Sequence, residues 1–133
     1  MKTKQLIIIG MLAFFATLNI YAQQTEVPTA IISALNTGNS SELTAYLAPH
    51  IELVVDDKND IYSKQQASGI ITDFFRSKKI NSFNVLHKGN KDAASFVIGT
   101  LKTSTGTFRV YVLTRKQGAT PLIQQLRIES TNE

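Results

Sequence analysis

Cysteine is absent from the 133-residue chain, and that absence removes several chemistries at once. It excludes disulfides, a thiol nucleophile, a thiolate metal site and a lipidated cysteine. Small exported domains often use disulfides as staples, so a chain of this kind must rely on its core alone. Tryptophan is missing too, and the two histidines, His50 and His87, have no metal-ligand spacing. No glycine-rich phosphate loop, nucleophile elbow or Ser-His-Asp order occurs, and no motif implies a cofactor. A strong charge of one sign is also lacking. With Lys2 and Lys4 set aside the formal charge falls from +4 to +2, a balance that does not argue for a nucleic-acid partner.

Long apolar runs are lacking except at the start. Lys2 and Lys4 precede an apolar stretch from Leu6 to Leu18, broken only by Gly10 and Thr17. Asn19 to Ala22 then form a more polar end with a small residue last. That order is the three-part secretory signal. The run is short of the roughly 20 residues that span a bilayer. The expectation is an exported protein, periplasmic or extracellular, cleaved near Ala22. Residues 1–22 are then the signal peptide and residues 23–133 a single domain with no membrane span.

The rest of the chain reads as helices followed by strands. Val27, Ile31, Ala34 and Leu35 share a face of a helix over Glu26 to Thr37, with Pro28 in its first turn and Gly38 as its C-terminal cap. Asn39 and Glu42 open a second helix carrying Leu43, Tyr46 and Leu47, which Pro49 stops. His50 then sits at a helix end, where it meets the negative end of the dipole. Ile51, Leu53 and Val55 alternate as a strand, with a turn at Asp57 to Asp60 and a short return through Ile61 and Tyr62. Ser63 and Gln66 form a capping box for a third helix bearing Ala67, Ile70, Ile71, Phe74 and Phe75. Four strands follow, beginning near Phe83, Ser95, Thr107 and Leu122, and spaced as an antiparallel meander. The fold class is α+β.

This order, together with Ala30 to Leu35 plus Gly38-Asn39, Phe74-Phe75 and Phe108 to Tyr111, resembles the nuclear transport factor 2-like superfamily over about Val27 to Ser130. More narrowly it is similar to small exported Bacteroidetes proteins known only as a domain of unknown function. The resemblance implies three N-terminal helices packed in a curved, cone-like antiparallel sheet of four to six strands. It also implies a pocket between sheet and helices, and homodimers through the sheet. The runs Phe96-Val97-Ile98 and Val110 to Leu113 offer such a surface. It implies no one reaction, because fold does not choose function.

Candidate ligand-binding residues are Tyr46, Tyr62, Phe74, His87, Arg109 and Tyr111. His87 shares a strand face with Phe83 and Val85, and a histidine in a pocket can serve as general acid or base. In the third long strand Phe108, Val110, Val112 and Thr114 share one face, and Arg109, Tyr111, Leu113 and Arg115 the other. The Phe108 set is the better core, but alternation alone leaves the register open. Asp56, Asp57, Asn59 and Asp60 look like a calcium loop, yet Lys58 and Ile61 stand where the template needs an oxygen ligand and glycine. The resemblance also brings in enzymes where an Asp base works beside a Tyr donor. Asp73 with Tyr46, Tyr62 or Tyr111 supplies those residue types. Two functions follow: a non-catalytic ligand-binding or assembly module of the cell envelope, or a small isomerase- or lyase-type enzyme acting on an apolar ligand in the cone.

Overall fold

The computed structural model describes residues 25–131, so the expected signal peptide lies outside the described residues. Helix α1, Thr29–Thr37, buries Ile31, Ala34 and Leu35, the face that its spacing predicts. Pro28 is its N-cap rather than an interior residue, and Gly38 ends it in the left-handed region at φ 71°. A Cβ at Gly38 would meet Ile80 Cγ1 at 2.8 Å, so both conformation and space favour glycine there.

Helix α2, Ser40–Thr44, is capped by Asn39, whose side chain accepts the Glu42 N–H. It is shorter than expected. Strand β1, Leu47–Val55, begins before Pro49, because the Tyr46 carbonyl accepts the Ile123 N–H at 2.7 Å and draws the chain onto the sheet. Pro49 therefore lies in a strand, in the stretch between Leu47 and Glu52 where pairing with the neighbouring strand is interrupted. A missing N–H is tolerated at such an irregularity. His50 is correspondingly an exposed strand residue opposite Ser63, not a helix-end residue.

Strand β2, Lys58–Ser63, returns from a two-residue turn at Asp56-Asp57, with Asp56 at φ 53°. The expected turn at Asp57 to Asp60 is thus shifted back, and Lys58 to Asp60 pair with β1. Helix α3, Lys64–Ser77, carries the predicted capping box of Ser63 and Gln66 and buries Ala67, Ile71 and Phe74. It follows the β1–β2 hairpin, so the three helices do not all precede the strands.

Strands β3 (Ile80–Lys91), β4 (Ala94–Thr103), β5 (Gly106–Gln117) and β6 (Thr120–Ser130) form the meander. The six strands make one curved sheet in the order β2-β1-β6-β5-β4-β3. Its pairings are antiparallel except one: β1 and β6 run parallel, so the sheet is mixed. Strand β2, helix α3 and strands β3 to β5 intervene between these two strands in sequence, and a connection of that length permits a parallel neighbour.

One face of the sheet packs on the helices. Ile51, Leu53 and Val55 of β1, Val97 and Leu101 of β4, Phe108, Val110 and Val112 of β5, and Leu126 and Ile128 of β6 join Ile31, Leu35, Ile71 and Phe74 in a single core. Phe74 meets Phe108 edge-on at 5.2 Å, tying α3 to the sheet. Each large side chain removed from water there contributes on the order of 1.5–3 kcal/mol. On this face Phe83 lies over Gly99, where a Cβ would come within 2.5 Å of its ring. Ser95 and Thr114 are the polar residues at the buried end of the face. The Ser95 hydroxyl donates to the Thr25 carbonyl at 2.8 Å, and Thr114 donates to the Ser95 carbonyl. Thr25 is thereby anchored to the sheet.

Candidate functional site

The register of β5 decides the faces. Phe108, Val110, Val112 and Thr114 are buried, while Arg109 and Arg115 are exposed and Tyr111 and Leu113 half-buried. Arg109 and Tyr111 therefore stand on the face turned away from the helices. Pairing extends that face across the strands: Phe96 opposes Leu113, Ile98 opposes Tyr111, and Thr100 opposes Arg109 on β4. On β6 Arg127 opposes Tyr111 and Glu129 opposes Arg109. Phe96 and Tyr111 stack with centroids 6.2 Å apart. A Cβ at Gly89 would come within 2.5 Å of the Phe96 ring, so a glycine lets that ring lie across β3.

His87 belongs to this outer face too. Strand β3 carries a bulge between Val85, opposite Gly99, and His87, opposite Ile98. The extra residue, Leu86, reverses the alternation. The expectation that His87 shares a face with Phe83 fails for that reason: Phe83 faces the core and His87 is exposed on the far side.

Among the described residues, modest cavities open on the helix side. One of about 290 Å³ lies between the β1–β2 turn and α3, lined by Val55, Asp56, Asp57, Lys58, Ile70, Asp73, Phe74 and Ser77. Beside it the Lys78 ammonium sits 4.6 Å from the Phe74 ring centroid and 4.0 Å from Asp56 Oδ2. The Asp73 side chain is 79% exposed and pairs loosely with Arg76 at 3.8 Å. Among the described residues no group of three or more histidines and carboxylates is placed to hold a metal ion. The second cavity, about 200 Å³, lies between the start of α1 and the β3–β4 end, lined by Val27, Ile32, Phe96 and Val97 together with Glu26 and Lys88 among others.

The six sequence candidates are thus dispersed. Phe74 lines the larger cavity, Tyr46 and Tyr62 pack partly buried against the core, and His87, Arg109 and Tyr111 occupy the outer face. Arg127, which sequence reasoning passed over, stands on the outer face opposite Tyr111 and donates its Nε–H to Glu129 Oε1 at 3.0 Å. That hydrogen bond, and then the carboxylate's charge, raise the guanidinium further above its ordinary value. The Lys78 contact with Phe74 was also passed over, since nothing in local spacing announces a cation over a ring.

The family model for a domain of unknown function, DUF4783, matches residues 28–129. A DUF4783 protein of Bacteroides ovatus is 39% identical, with a TM-score of 0.77, over 83% of this chain and all of that one. A second, from Bacteroides uniformis, is 41% identical with a TM-score of 0.76, over 80% of this chain and 99% of that one. A Streptomyces avermitilis protein of the NTF2-like family shares the fold at 11% identity, with a TM-score of 0.60, over 79% of this chain and 91% of that one. No curated protein matches. With a fold of the nuclear transport factor 2-like kind and a family model spanning residues 28–129, this chain belongs to the DUF4783 family.

Proposed function

We propose that this protein is a non-catalytic binding or assembly module of the cell envelope, working through the outer face of its sheet. The observation that carries the reading is the band of Phe96, Ile98, Tyr111 and Leu113, half-buried on the face that lacks helices. A solvated sheet face ordinarily alternates toward polar side chains. A contiguous apolar patch on it is the mark of an interaction surface. The helix side supports the same reading, because its centre is filled by close-packed apolar side chains. Among the described residues neither Asp73 nor His87 has a hydrogen bond to a tyrosine. The envelope part rests on the signal pattern of residues 1–22.

A small isomerase- or lyase-type enzyme acting on an apolar ligand is the second reading. It is favoured by the larger cavity, where Asp73 stands beside the Phe74 and Ile70 lining. One screen separates the two. The protein is assayed against a broad panel of small apolar carbonyl and hydroxy compounds for binding and turnover. The module reading expects no turnover. Turnover that Asp73→Asn abolishes while the protein stays folded would contradict it.

A further inference from the structure

The outer face carries its charges unequally. Within the sheet pairing, Lys91 and Arg115 flank Ala94, Arg109 opposes Thr100, Lys102 opposes Thr107, and Arg127 opposes Tyr111. Among the described residues, the carboxylates on this face are Glu129, already bonded to Arg127, and Glu52 on β1, opposite Ile61. Among the described residues, Lys91, Lys102, Arg109 and Arg115 enter no salt bridge, and all four are exposed. They stand around the apolar band, two toward one end of the strands and two toward the other.

We propose that the occupant of this face is an acidic protein segment bearing apolar side chains, such as an amphipathic helix flanked by carboxylates, and not a second copy of the chain. The inference rests on the reading of the outer face as the working surface and adds the partner's chemistry. A two-fold dimer brings a face against itself. Here that sets an excess of cations against the same excess, and like charges across an interface oppose association. An acidic partner meets the same cations with opposite charge, while Phe96, Ile98, Tyr111 and Leu113 take its apolar side chains. A bare polyanion leaves those four side chains in water. A bilayer calls for apolar groups that protrude, and these four are half-buried in the face.

The test uses the protein purified from cells and a synthetic helical peptide with leucines on one face and glutamates on its flanks. Its control carries lysine for glutamate. Binding is read by fluorescence anisotropy and self-association by sedimentation velocity. The acidic peptide is expected to bind, the lysine peptide not. Affinity should fall at least about tenfold between low and about 0.3 M salt as screening shortens the reach of the rim charges. Arg109→Glu with Arg115→Glu, both exposed and outside the core, should weaken binding by at least about tenfold with the unfolding midpoint unchanged. No binding of the acidic peptide overturns the proposal. So does a stable dimer that Tyr111→Asp dissociates, or binding to phosphatidylglycerol vesicles in place of the peptide. Loss of peptide binding in Tyr111→Asp but not in the charge-reversed variant overturns the acidic partner and leaves the outer-face reading standing. Peptide binding that Tyr111→Asp leaves untouched overturns both.

Discussion

The two faces of the sheet are written in the same strands and have opposite characters. On β5 the residues Phe108, Val110 and Val112 are between 0 and 6% exposed, while their neighbours Arg109 and Arg115 stand in solvent and Tyr111 lies between. The inner face buries its large apolar side chains under the helices, apart from Val85 beside the bulge, which is 40% exposed. The outer face keeps apolar side chains at the surface without a helix to cover them. The difference separates the residues that stability depends on, Leu101, Val110 and Leu126, from those that the proposed recognition surface depends on, Phe96, Ile98 and Tyr111.

Substitutions can break that comparison, beginning with the inner face. Leu126→Ala empties a fully buried position and should cost about 3 kcal/mol, read as a lower midpoint in guanidinium unfolding. Leu113→Ala, on the same pair of strands but the other face, should cost less than half as much. Equal losses would mean that both faces are core. Next, Gly99→Ala drives a methyl against the Phe83 ring and the Asn84 carbonyl, each 2.5 Å away, and should cost about 1–3 kcal/mol. Smaller again is Asn36→Ala. The Asn36 side chain accepts the Phe83 N–H at 2.9 Å, joining α1 to the edge strand β3. Its removal should cost about 1 kcal/mol and speed hydrogen exchange at Phe83. Smallest is Arg109→Gln, which should move stability by no more than about 0.5 kcal/mol while weakening the acidic peptide. A large stability loss there would place Arg109 in a structural role.

Much of the inner face was legible in the sequence. The spacing of Ile31, Ala34 and Leu35 marks the buried stripe of α1, and all three are buried, while Val27, expected on the same helix, is buried ahead of it because the helix starts at Thr29 and not at Glu26. The Ser63–Gln66 capping box marks the start of α3, and both of its hydrogen bonds form. The apolar alternation Phe108-Val110-Val112 marks the core side of β5. What local pattern could not reveal depends on partners distant in sequence. Tyr46 and Leu47 fit a helix by spacing, but the bond from Ile123 commits them to the sheet. The parallel pairing of β1 with β6 joins segments more than 70 positions apart, and no periodicity encodes it. The bulge at Leu86 is a single added residue, enough to carry His87 from the expected face to the other. The candidate site was legible residue by residue, since Tyr111 and Arg109 were marked, but not as a surface. That surface exists only once β4, β5 and β6 are in register.

The central claim is that the outer face is the working surface and the helix side is structure. Chemical-shift mapping of the labelled protein during titration with the acidic amphipathic peptide tests it most directly. The account predicts changes at Phe96, Ile98, Tyr111 and Leu113 with Ile70 and Phe74 unmoved. Changes centred on Ile70, Asp73 and Phe74, leaving the outer face silent, would contradict it.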